Sequence, residues 1–134
     1  MWKVALVLVF VLLLGLAACG GDAAPAGEPA AEGDATTGKA LFVQGTIGSQ
    51  VGCAICHSLE PGVMGLGPSL ATVGTEAGNR VADTSAVDYL RESIVAPDAH
   101  IVEGFAGGLM PPTYGDELTE QQVADLVAFL LTLK

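Results

Sequence analysis

Cys53-Ala54-Ile55-Cys56-His57 is the stretch from which the rest of the chain is read. Two thiols three residues apart on an incipient helix face the same edge, and the next residue brings an imidazole beside them. A zinc site needs four ligands, and no second CxxC or paired histidines exist to complete one. A thioredoxin-like dithiol sits in a βαβ setting, which the flanking sequence lacks. A structural disulfide leaves His57 without a role, and three cysteines cannot all pair.

The chemistry that uses all three groups is covalent haem c attachment. Thiols at this spacing reach the two vinyl groups on one edge of a porphyrin, and His57 then lies beneath the iron. A sixth ligand is sought among Met64, Met110 and His100. Met64 follows His57 by seven residues, so the chain would have to wrap the porphyrin edge at once; it reads better as a core or loop residue. Met110 lies in Gly107-Gly108-Leu109-Met110-Pro111-Pro112. Glycines let that loop approach a flat ligand and prolines stiffen it, so a soft sulfur is held in place. Met110 as a buried loop anchor is the plainer alternative. His100 reads as a solvated histidine after a helix stop, or as a second imidazole ligand that would lower the potential.

Around these residues the pattern is helical. A first helix is expected from Gly38 to Gln44, capped by Thr37, with Leu41 and Phe42 inward. A second is expected from Ala86 to Val95, capped by Thr84 or Ser85, with Val87, Leu90 and Ile94 inward and Pro97 as its stop. The third has Thr119 and Gln122 as a capping box and Val123, Leu126, Val127 and Leu130 on one face. Asp116, Glu117 and Glu120 suit its positive end and Lys134 the other. No alternating strand pattern stands out. The expectation is an all-α domain with long glycine-rich loops, at Gly62 to Gly78 and Glu103 to Gly115, around something.

Upstream, Met1-Trp2-Lys3 precedes eleven apolar residues, Val4 to Leu14. That run suits the apolar stretch of a signal peptide and falls short of the ~20 residues of a spanning helix. Leu16-Ala17-Ala18-Cys19 resembles the lipobox of bacterial lipoproteins, in which the cysteine receives a diacylglyceryl group. Residues 1–18 are therefore read as a lipoprotein signal peptide, with Cys19 lipidated. An uncleaved helical anchor and plain secretion stand beside that reading. Residues 19–37 read as a flexible linker of Ala, Pro, Gly and acids, too poor in apolar surface to offset its chain entropy. The folded domain is expected over residues 38–134.

Fifteen acids against five bases give a net charge of −10. Nucleic acid is excluded as a partner, since phosphate contacts need clustered Lys and Arg. Eighteen glycines and 5 % aromatics build a thin core unaided, so a bound group should help to fill it.

With CxxCH after a short helix, Met110-Pro111-Pro112, and Leu126 to Leu130 in a terminal helix, residues 38–134 resemble a class I c-type cytochrome. The resemblance implies a haem between crossed first and last helices, with Phe42 and Phe129 at their contact. It also implies Cys53 and Cys56 as thioether donors, His57 and Met110 on the iron, and the Pro68 carbonyl, in Gly67-Pro68-Ser69-Leu70, bonded to His57 Nδ1. Pro68 as a plain turn former is the alternative. Tyr89 to Ile94, Pro97, Ile101 to Phe105 and Met110 to Gly115 are similar, more narrowly, to cytochrome domains of bacterial respiratory assemblies. These are the domain fused to subunit II of some haem–copper oxidases and the small monohaem lipoprotein of alternative complex III. The second fits better, because the chain has no residues for a copper domain. The implied role is one-electron transfer rather than catalysis, at the periplasmic face of the plasma membrane through a lipid anchor. Its neighbours would be integral membrane and multihaem or iron–sulfur subunits of a quinol-oxidising complex, with a downstream electron acceptor. A free lipid-anchored shuttle, and a haem enzyme or gas sensor with an open sixth site, are the competing roles.

Overall fold

The first and last helices of the folded part pack against each other, and their residues explain how. A computed structural model describes residues 32–134; the leader, Cys19 and the start of the linker lie outside the described residues. Helix α1 spans Ala35–Phe42 and the terminal α6 spans Glu120–Leu130. Gly38 sits at their contact: a Cβ there would meet the Asp125 carbonyl oxygen at 1.9 Å, so only glycine allows the approach. Phe42 and Phe129 then pack with ring centroids 5.5 Å apart and planes tilted by 57°. Both were expected there.

Helix α1 starts earlier than its sequence pattern suggested. The cap is Asp34, not Thr37: the Asp34 carboxylate accepts the Thr37 N–H at 2.6 Å. Residues 35–37, read as the end of the linker, are thus helical. A second contact fixes that start. Asp125 is buried on α6 and accepts the Asp34 N–H at 2.8 Å and the Gln121 Nε2–H at 2.8 Å. A buried carboxyl without donors would be costly, and these two hold it while tying the chain's entry point to α6.

Between the two helices come β1 Thr46–Ile47 and β2 Gln50–Val51, paired antiparallel, then α2 Cys53–Cys56 and α3 Val73–Glu76 with a 3₁₀ turn, Ala77–Asn79. Helix α4 spans Ala86–Val95, followed by a 3₁₀ turn Pro97–Ala99 and α5 Tyr114–Glu117. The hairpin was not expected; two residues per strand are too few to show alternation. Its turn is held from α5, where Glu117 accepts from the Ser49 N–H and hydroxyl. The Tyr114 hydroxyl donates to the Val51 carbonyl at 2.6 Å.

Helix α4 has the expected bounds, with Ser85 as cap accepting the Asp88 N–H at 3.1 Å. Its buried stripe differs. Leu90 and Ile94 are inside as expected, but Val87 is 50 % exposed and Tyr89 is buried instead. The tyrosine ring turns inward to wall a cavity, which rotates the stripe away from Val87. Helix α6 matches at its cap and its buried face: the Thr119–Gln122 capping box is formed, and Val123, Leu126, Val127 and Leu130 are buried. Of the charges expected at its ends only Glu120 lies in its first turn; Asp116 and Glu117 fall in α5, and Lys134 lies beyond the last turn and donates to the Gly74 carbonyl. Among the described residues no helix is long and apolar enough to cross a membrane.

The Asp34 cap carries a pH signature. Hydrogen bonds from the Thr37 backbone and then the Thr37 side chain hold its carboxyl below the usual value. A lowered carboxyl stabilises the fold above its unfolded pKa of about 3.9 and loses that contribution as pH falls through the folded value. Urea titrations of the holoprotein and Asp34→Ala should therefore differ by a constant amount near neutrality. The gap should close below about pH 4. A gap that persists unchanged into acid would show that the carboxylate is not the cap.

Candidate functional site

One turn of helix sets the geometry of the motif. Gly52 enters α2 in an extended conformation, and His57 leaves it extended, its N–H donating to the Cys53 carbonyl at 3.0 Å. Cys53 and Cys56 are half-buried and form no disulfide. Burial pushes the Cys53 thiol up, as it does the Tyr114 hydroxyl.

The chain after His57 folds back over the histidine. Gly67 N–H donates to the Cys56 carbonyl at 3.0 Å, and Leu70 N–H to the Ser58 carbonyl at 2.9 Å. This brings the Pro68 carbonyl 2.9 Å from His57 Nδ1. A carbonyl only accepts, so Nδ1 carries the hydrogen and Nε2 keeps its lone pair. Gly67 lies against the ring: a Cβ there would stand 2.4 Å from Cε1. The imidazole is thus oriented from both sides.

Cys53, Cys56, His57 and Pro68 wall a cavity of about 1250 Å³, counted with its open mouth. Phe42, Leu90, Ile94, Leu126 and Leu130 line it too, as do Leu109, Met110 and Pro111 from the loop around Met110. Met110 is half-buried and packed against the core. That loop is held by Asp98, whose Oδ1 accepts the Gly108 N–H at 2.9 Å.

The three sixth-ligand candidates therefore separate. Met110 lines the cavity that His57 lines, whereas Met64 is 72 % exposed on a loop and does not. His100 is not the solvated residue expected: it is half-buried in the cavity wall, edge-on to Tyr89 with centroids 5.7 Å apart. The sequence assigned no site role to Tyr89, Asp98 or Tyr114, although Tyr89 and Tyr114 lie in stretches that carry the narrower resemblance; Tyr89 packs on His100, Asp98 holds Gly108, and Tyr114 reaches Val51. Among the described residues no three His, Cys, Asp or Glu side chains gather as a metal site.

A family model for cytochrome c matches residues 35–134, and the chain belongs to the cytochrome c family. No curated protein gave a significant match. Membership makes it an electron-transfer domain with covalent haem c, and its short helices and long loops are those of that fold. The residues present fit the group. A large apolar cavity opens beside two free thiols and is lined by an oriented imidazole and a thioether. Cys53 and Cys56 would hold the porphyrin, His57 Nε2 and Met110 Sδ the iron; when bound, the group supplies a metal that cycles between ferric and ferrous.

Gly67→Ala isolates the histidine clamp. The added methyl should push the His57 ring off the Pro68 carbonyl while the thioethers stay intact. Haem should remain attached under denaturing conditions, with a visible spectrum and midpoint potential displaced from wild type. An unaltered spectrum would show that the close packing does not set the ring.

Proposed function

We propose that this chain is a membrane-tethered monohaem cytochrome c serving as the small cytochrome subunit of a quinol-oxidising assembly of the alternative complex III kind. The observation that carries the electron-transfer site is the placing of His57 and Met110 in the walls of one apolar cavity beside Cys53 and Cys56. The chain's own residues bind and orient. Pro68 and Gly67 fix the imidazole, Asp98 and Pro111 steady the methionine loop, and the apolar walls exclude water. Thioether ligation favours the ferrous state and raises the potential relative to two imidazoles. Quinol oxidation falls to other subunits, and this one passes single electrons to a downstream acceptor.

The narrower assignment is supported by the resemblance carried by Tyr89 to Ile94, Ile101 to Phe105 and Met110 to Gly115, which run through α4 and the Met110 loop. The lipobox-like Leu16-Ala17-Ala18-Cys19 supports a lipid anchor at the periplasmic face of the plasma membrane. Copurification with integral membrane and multihaem or iron–sulfur partners in detergent distinguishes a subunit from a lipid-anchored shuttle.

Met110→Ala should keep its haem, because the thioethers do not depend on the sixth ligand. It should bind carbon monoxide when reduced and show a lower potential. Met64→Ala should behave as wild type. The reverse pattern would move the ligand to Met64.

Cys19→Ser should release the domain from the membrane, since two or more acyl chains hold firmly and an acidic linker adds nothing at an anionic surface. Intact mass of the native protein gives a second reading. A chain that still begins at Met1 would reject lipoprotein processing.

A further inference from the structure

The loop that carries Met110 is held in two ways, and they differ in kind. Asp98 closes the loop on itself by accepting the Gly108 N–H. Tyr114 ties the same loop to a distant part of the chain. It is the first residue of α5 and follows Met110 by four positions, with Pro111, Pro112 and Thr113 between. Each proline ring fixes its own φ, so the link is stiff and a displacement of Tyr114 is passed on to Met110.

The Tyr114 ring is buried and lines the cavity that Cys53, His57 and Met110 also line. Its hydroxyl donates to the Val51 carbonyl at 2.6 Å. Val51 stands two residues ahead of Cys53, where the backbone has little freedom. The Gly52 N–H donates to the Gly45 carbonyl at 2.9 Å, and a Cβ on Gly52 would meet the Gln44 carbonyl oxygen at 1.7 Å. Burial pushes the Tyr114 phenol up, so it stays protonated and a donor at neutral pH. Helix α5 makes a second tie to the hairpin through Glu117 and Ser49. That tie lies at the surface, where water replaces a lost bond at little cost.

Resting on Met110 as the sixth ligand in the reading above, we infer that Tyr114 is a positioning residue for that thioether. Its hydroxyl, held on the Val51 carbonyl, keeps the methionine loop in register with the turn that carries the two cysteines. A haem attached at Cys53 moves with Val51 and Gly52. The loop bonded to Val51 follows, so the two halves of the site do not pull the sulfur off the iron as they fluctuate. Without the hydroxyl, Met110 leaves the iron more often and a competing ligand takes its place.

Imidazole binding to the ferric holoprotein, followed in the visible spectrum, tests the assignment. The incoming nitrogen replaces the Met110 sulfur on the iron; no electron moves and no covalent bond of the chain breaks. Tyr114→Phe keeps the ring and deletes only the hydroxyl. It should bind imidazole about fivefold more tightly than wild type, the equivalent of one ordinary hydrogen bond. In a Met110→Ala background there is no sulfur to displace, and the same substitution should leave the affinity unchanged. Ser49→Ala, which removes the surface tie, should match wild type. Pro112→Ala keeps the hydroxyl bond but softens the link, and should also tighten imidazole binding; it carries the test if Tyr114→Phe does not fold. Wild-type affinity in Tyr114→Phe or in Pro112→Ala would overturn the proposal. So would an equal gain with and without Met110, or an equal gain in Ser49→Ala, since either would show a general loosening of the fold. A Met110→Ala single variant that binds imidazole no more tightly than wild type would instead sink the ligand assignment on which the proposal rests.

Discussion

The crossing of α1 over α6 at Gly38, where no Cβ separates the two backbones, is the contact on which the other elements depend. It joins the two ends of the folded part and seats Phe42 against Phe129. It also places Phe42, Leu126 and Leu130 in the lining of the cavity. Asp125 adds a polar lock at the same place by holding the Asp34 N–H. With this frame closed, the chain between the helices has only to line a ring around one apolar space. A domain with so few aromatic residues leaves that space for a bound porphyrin to fill, which makes the group part of the core as well as the working centre.

The two sides of the cavity are held by different means. On the histidine side, a carbonyl and a glycine fix one ring, and the returning loop is bonded to the residues that flank it. The methionine side is a loop, steadied by Asp98 at Gly108 and followed by α5. Helix α5 reaches across to the hairpin ahead of Cys53 through Tyr114 and Glu117. The loop that carries Met110 and the turn that carries the thiols are therefore braced against each other. Such bracing limits rearrangement when the charge at the site changes, which is what single-electron transfer requires.

Much of this was legible in the chain because its signals are local. CxxCH has a fixed spacing, the Thr119–Gln122 box marks a helix start, and Ser85 with Pro97 brackets α4. The resemblance to class I cytochromes led to the Pro68 contact and the paired phenylalanines. What escaped was set by distant contacts. Asp34 is an ordinary linker acid until its amide meets Asp125, ninety-one residues away. Tyr89 displaces Val87 from the inner face only because the cavity lies there, and His100 is drawn into the same wall. The hairpin is too short for a periodic pattern and depends on Glu117 and Tyr114.

One imidazole and one thioether, from His57 and Met110, line the same cavity and would bind the iron of a haem held at Cys53 and Cys56. Iron K-edge X-ray absorption on the oxidised holoprotein tests it without altering the chain. A single sulfur neighbour, with nitrogen in every other position, is the predicted shell. An all-nitrogen six-coordinate shell would place His100 on the iron, and a five-coordinate shell would leave Met110 a structural residue; either result would contradict the account.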